Sequence, residues 1–158
     1  MNDHAIVTRA WTAFDRLGSD ARAQLEPLAR RQAFEPGASI LQEGRETPFL
    51  AAVESGRVAL RLRTPELGAR VTIATIEPGE LLGWSALVPP FRATADATAT
   101  ERVELVTFDA AALRDQLASD PLFAAQLLPL VFETVSGRLT TSWHQLLDLF
   151  EPRGRGPW

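Results

Sequence analysis

The sequence predicts an antiparallel β-roll, a double-stranded β-helix jelly roll, flanked by helices and followed by a long C-terminal helix. Three observations carry this expectation. Glycines at 37, 44, 56, 68, 79 and 83 divide the stretch 34–109 into short segments, which is the rhythm of many brief strands joined by turns. Within it Val58, Leu60 and Leu62 alternate with Arg57, Arg61 and Arg63, the period-two signature of a half-buried strand. On both sides of the stretch the apolar spacing changes to three and four.

The elements follow in order. Ala10, Trp11, Phe14 and Leu17 repeat at helical spacing. Gly18-Ser19-Asp20 then offers a break and a cap for a second helix carrying Ala21, Leu25, Leu28 and Ala29. Pro27 must lie near a helix start or it kinks the helix. Strands are expected over 39–41, 49–54, 57–63, 70–76 and 103–108. Glu54-Ser55-Gly56-Arg57 reads as a tight hairpin turn and Pro65-Glu66-Leu67-Gly68 as a longer one. Thr94, Asp96, Thr98 and Thr100 alternate with alanines at 93, 95, 97 and 99, a strand with a small inner face and a polar outer one. Asp109 suits a cap for a helix through Leu113 and Leu117, and Asp120-Pro121 starts another. Pro129 is expected to kink or restart that helix. Beyond it Leu128, Val135, Ser142 and Leu149 share one heptad position, and Phe132, Leu139 and Leu146 the other. That pattern predicts a parallel two-helix seam and a homodimer, with packing on the chain's own roll as the alternative. Gly137 lowers helix stability by about 1 kcal/mol, a cost that a closely approaching partner helix would offset.

Composition narrows the chemistry. The chain has 158 residues, a net charge of −4, and arginine as its only strong base. The charge argues against a nucleic-acid surface. There is no cysteine, which excludes disulfides and thiolate metal sites. The two histidines, His4 and His144, lie outside the β stretch. A metal-dependent cupin-like enzyme therefore lacks its imidazole ligands, a Ser/His/Asp hydrolase lacks its base, and no enzyme is expected. No secretory leader and no run of 18 apolar residues is found, so the expected location is the cytoplasm, with no membrane contact.

The segment 78–95 carries the most chemistry. A glycine-bounded strand end runs into Trp84–Val88, long enough for about one helical turn. Unpaired amides at Gly83, Trp84, Ser85 and Ala86 would favour an anion. Arg92 could fork onto its oxygens, and Ser85 and Thr94 add hydroxyls. Against this stand blander assignments. Trp84 suits packing, Ser85 suits a helix cap, Thr94 a surface position, and Arg92 a solvated loop. Arg57, Arg61 and Arg63 suit a solvated strand face, with the mouth of a pocket as the alternative.

Four stretches together resemble the cyclic nucleotide-binding domain of the catabolite activator, Crp-Fnr and protein kinase A regulatory superfamily. Glu35-Pro36-Gly37 through Gly44 resembles its opening strand and turn, and Val53-Glu54-Ser55-Gly56-Arg57-Val58 its central turn. Gly79-Glu80-Leu81-Leu82-Gly83 resembles the entry to its phosphate-binding cassette, and 103–109 its last strand. The resemblance covers about 20–150. It implies a stand-alone sensor with a helical segment at 1–33 and a roll at 34–109 whose cassette lies at about 79–95. Hinge and dimerisation helices would follow at 110–150, then a flexible tail at 151–158. It implies an anionic ligand such as cAMP or cGMP, held by the turn 83–86, Arg92 and Thr94, with Arg138, Thr141 and Ser142 on the last helix reaching the base. Where the family carries a ribose-holding glutamate this chain has Trp84. A degenerate domain serving as a protein-interaction scaffold is therefore the second reading. The family's transcription factors continue into a helix-turn-helix; this sequence ends at Trp158, so it is not expected to bind DNA itself.

Overall fold

A computed structural model describes residues 9–66 and 68–150. The expected turn at 65–68 includes Leu67, and the expected tail and His4 also lie outside the described residues. Among the described residues, eight strands form two antiparallel four-stranded sheets. The strands are β1 (Ala29–Phe34), β2 (Ser39–Leu41), β3 (Phe49–Ser55), β4 (Val58–Arg63), β5 (Arg70–Ile76), β6 (Leu81–Leu82), β7 (Asp96–Ala99) and β8 (Val103–Asp109). One sheet runs β1-β8-β3-β6 and the other β2-β7-β4-β5. Helices α1 (Arg9–Thr12) and α2 (Ser19–Leu25) precede the roll, and α3 (Ala110–Ser119) and α4 (Pro121–Phe150) follow it.

The two central strands of the first sheet, β8 and β3, are covered on both faces. In β3, Phe49, Ala51 and Val53 point into the roll, while Leu50 and Ala52 face the helices. In β8, Val103 and Leu105 point inward, and Val106 and Phe108 outward. Two buried faces explain why these strands read as nearly unbroken apolar runs. The outer core joins them to Ala10, Phe14, Leu25, Leu113, Phe123 and Leu127. Trp11, Phe14 and Phe108 stack edge-on or tilted, with ring centroids 5.4–5.9 Å apart.

Four expectations change. Residues up to 33 are not all helical, because α2 stops at a 3₁₀ turn holding Pro27 and β1 begins at Ala29. Arg30, Arg31, Gln32 and Ala33 are exposed, so no apolar alternation announces this strand. Its pairing with β8, Ala29 opposite Phe108 through Phe34 opposite Val103, makes it one. The turn at 54–57 is not a hairpin: β3 pairs with β8 and β6, β4 with β5 and β7, so this turn carries the chain from one sheet to the other. Gly56 is needed there, since φ is +78° and a Cβ would stand 2.2 Å from the Arg102 carbonyl oxygen. Pro129 does not restart a helix: α4 runs continuously from Pro121 to Phe150 with the proline inside it. Asp96 is buried rather than on a solvated polar face, while Ala93, Ala95, Ala97 and Ala99 are buried as the alternation requires.

Both later helices are capped as their sequence suggests. Asp109 accepts the Ala112 N–H at 3.0 Å. Asp120 accepts those of Leu122 and Phe123 at 3.0 and 3.1 Å. In α4, Phe123, Leu127, Leu130 and Val131 are buried and no residue after Val131 is. Phe132, Leu139, Leu146 and Leu149 are exposed, Phe132 by 70% and Leu149 by 78%. These four side chains of the heptad pattern are therefore largely in solvent. By length and composition alone α4 could cross a membrane, although its first third is built into the core.

Candidate functional site

Past Val131 the helix α4 stands off the roll, and a cleft of about 720 Å³ lies between them. One wall is α4, with Leu130, Glu133, Thr134, Gly137, Arg138, Thr141, Ser142 and Gln145. The opposite wall is Leu60 of β4, Ile73–Ile76 of β5 and Gly79–Leu81. Thr12, Ala13, Asp15 and Arg16 close one end. Leu60 also packs against the roll interior, so the cleft opens onto that core.

Polar contacts tie the walls together. Arg16 pairs with Glu133, one bond being 2.7 Å long. Arg138 donates to the Leu81 carbonyl, and the Gln145 amide donates to the Ile73 carbonyl at 3.4 Å. Burial pulls the Arg138 pKa below the ordinary arginine value, and the nearby Glu80 carboxylate opposes the shift. Arginine does not lose its proton in proteins. The direction of the shift reflects the cost of holding a charge in a partly buried position. Thr134, Thr141 and Ser142 donate their hydroxyl protons back to Leu130, Gly137 and Arg138 carbonyls at 2.9–3.2 Å.

Of the residues singled out in the sequence, Arg138, Thr141 and Ser142 line this cleft. Of the expected cassette, Gly79, Glu80 and Leu81 line it too, but Gly83, Trp84, Ser85, Ala86, Arg92 and Thr94 do not. Gly83 has φ +79°, and a Cβ there would lie 2.4 Å from the Phe49 carbonyl oxygen, so backbone packing alone requires glycine. Trp84 packs, half-buried, on the core that faces the helices; it neither fills the roll interior nor lines the cleft. Ser85 is buried, with its hydroxyl 2.7 Å from that of Thr47. Ala86 is buried, and its carbonyl accepts from Arg114 at 2.7 Å. Arg92 is exposed and donates to the Gly44 carbonyl at 2.8 Å, and Thr94 is exposed. Arg57 is also exposed, bonded to Glu77 at 3.1 Å, before β4 begins.

Sequence reasoning missed the groups that fix this segment. The Arg114 guanidinium lies 4.3 Å from the Phe91 ring centroid, and the Thr47 N–H donates to the Phe91 carbonyl at 2.8 Å. Asp96 accepts the Glu43 N–H at 2.9 Å and pairs with Arg70 at 2.9 Å. No local pattern marks these residues, because each partner is distant in sequence.

Comparison with known proteins agrees with this architecture. Residues 31–120 match the cyclic nucleotide-binding domain family. A CRP-like cAMP-activated global transcriptional regulator of Mycobacterium tuberculosis is 28% identical, over 80% of this chain. This chain spans 61% of that relative's length. The Thermus thermophilus catabolite activator protein superposes with a TM-score of 0.63 at 26% identity, covering 88% of this chain and 62% of that one. A cyclic nucleotide-binding domain from Methylobacillus flagellatus gives 0.78 at 18% identity, covering 94% and 84%. The chain belongs to the cyclic nucleotide-binding domain family.

Proposed function

We propose that this family member is a non-catalytic, ligand-sensing regulatory module of the cytoplasm. It takes a small anionic ligand of the cyclic nucleotide class, cAMP or cGMP, in the cleft between the roll and α4. The single observation behind this reading is Arg138: a partly buried guanidinium on the cleft wall, with a carbonyl as its hydrogen-bond partner. A phosphate oxygen would be a stronger partner than a neutral carbonyl. A ligand that recruits Arg138 competes with the Leu81 contact and so biases how α4 lies against the roll. The output is a second copy of this chain on the exposed heptad face of α4.

Calorimetric titration with cAMP and with cGMP tests the reading. Saturable heat with one of them, lost in Arg138→Ala, supports it. No heat with either, at millimolar ligand, sinks it. Arg92→Ala is the second arm. Arg92 is exposed at the cassette, and a loss of affinity there would extend the ligand toward the turn 83–86 and Thr94.

The second reading is an interaction module that binds no nucleotide. It draws on the internal bonds that already occupy the cassette: Ser85 on Thr47, the Ala86 carbonyl on Arg114, and Arg92 on Gly44.

A further inference from the structure

The outer face of the second sheet carries a charge imbalance that the roll does not resolve. Leu60 packs on the roll interior, and side chains alternate along a strand, so Arg61 and Arg63 of β4 stand on the opposite, outer face. The register puts Arg63 directly across from Arg70 of β5, and Arg61 across from Asp96 of β7. β4 lies between β5 and β7. The 2.9 Å ion pair from Arg70 to Asp96 therefore crosses β4 beside Arg61. Three arginines gather around one carboxylate.

Both oxygens of that carboxylate are engaged, one by the Glu43 N–H and the other by Arg70. Among the described residues, neither Arg61 nor Arg63 takes part in an ion pair, although Arg61 is half-buried. Like charges directly opposite on an antiparallel pair are destabilising, so the Arg63–Arg70 pairing works against the fold unless an anion lies between the two. The neighbouring outer positions, Ala59 with Thr75 and Thr98 across from it, are small and leave the face flat. Arg57, Arg61, Arg63 and Arg70 are all outside the cleft lining, so the arginines of this strand do not form the mouth of that cleft.

We propose that this face is a docking surface for an acidic segment of a partner protein, with Arg61, Arg63 and Arg70 as its contacts. Each guanidinium presents a fork that matches a carboxylate, and together they suit a few successive Glu or Asp side chains. A long nucleic acid fits less well, because the chain's net charge of −4 repels an extended polyanion. The surface is separate from the cleft, so the inference stands apart from the cyclic-nucleotide reading.

The test is amide-shift mapping of the isotopically labelled chain at low salt, titrated with a hexaglutamate peptide, with inorganic phosphate and with an oligothymidylate. Thermal melts accompany it. The variant is Arg61→Gln with Arg63→Gln, which leaves the Arg70–Asp96 pair in place. The control is Arg9→Gln with Arg31→Gln, both exposed, which removes the same formal charge elsewhere. Hexaglutamate should give saturable shifts centred on β4, β5 and β7 that weaken with added salt. Its affinity should fall about tenfold in the variant and stay within about twofold in the control. The variant should melt no lower than the unaltered protein, since it separates like charges. The proposal is overturned by any of five results: no saturable shift at millimolar hexaglutamate, an equal loss in the control, a clearly lower melting temperature of the variant, phosphate alone binding the face as tightly, or oligothymidylate binding it more tightly. A separate titration with cAMP reports on the cleft whichever way this one falls.

Discussion

The hydroxyls of Thr47 and Ser85 lie 2.7 Å apart, both out of water, and join the approach to β3 to the turn that follows Gly83. The Thr47 N–H also holds the Phe91 carbonyl at 2.8 Å. One threonine therefore ties down two points, Ser85 and Phe91, of the segment between β6 and β7.

Ser85→Ala should strand the Thr47 hydroxyl in the core and cost about 1–3 kcal/mol in urea unfolding. Adding Thr47→Val removes the orphaned group and should restore part of the loss. Equal stability of Ser85→Ala and the unaltered protein would show that the pair contributes nothing. Cyclic nucleotide affinity should be unchanged in the double variant, since neither residue lines the cleft.

Asp96 is the buried carboxylate of the second sheet, and it answers both the Glu43 N–H and Arg70. Asp96→Ala should cost about 1–3 kcal/mol by leaving the amide unpaired. Arg70→Ala should cost less, because Arg70 is half exposed and its charge is screened. A larger effect from Arg70 than from Asp96 would contradict this ordering.

The exposed stripe of Phe132, Leu139 and Leu146 on α4 should make the protein a dimer in analytical ultracentrifugation. Leu139→Glu with Leu146→Glu should give a monomer with little change in the melting of the roll, because both side chains are exposed and neither belongs to its core. An unaltered protein that sediments as a monomer at high micromolar concentration ends the dimer proposal. Co-sedimentation of that monomer with phospholipid vesicles would assign the stripe to a bilayer instead.

Asp120 gives a pH dependence of known sign. The Phe123 N–H holds its carboxyl below the ordinary aspartate range; desolvation opposes this, and the Gln24 side chain and Leu122 N–H reinforce it. A depressed folded-state pKa contributes stability that is fully present above the unfolded value, about 3.9. That stability is lost as pH falls through the folded value. Melting-temperature differences between the unaltered protein and Asp120→Ala should be widest near neutrality and narrow below about pH 4. A gap that stays constant down to pH 3 would mean the charge on Asp120 does not matter to the cap.

Much of this protein is legible in its sequence because its signals are local. The Val58–Arg63 alternation, the turn glycines, the caps at Asp109 and Asp120 and the heptad of α4 each depend on neighbours within one element. Dihedral limits and side-chain periodicity act over such distances. β1 escaped because its exposed Arg-Arg-Gln-Ala run has no apolar period, and only β8, some seventy residues away, supplies its partner.

Part of the cleft wall was legible by another route. The family resemblance implies Arg138, Thr141 and Ser142 on the last helix, and all three line the cleft. That the turn 83–86 and Arg92 are taken up by Thr47, Arg114 and Gly44 could not be read from their own neighbourhood.

The sequence by itself determined that this is a β-roll with helices at both ends, because hydrophobic period and turn chemistry are properties of short stretches of chain. Only the tertiary structure decided which polar groups satisfy one another and where space remains. A buried hydrogen bond such as Thr47–Ser85, or a cleft between α4 and the roll, is set by surfaces that meet only once the roll has closed.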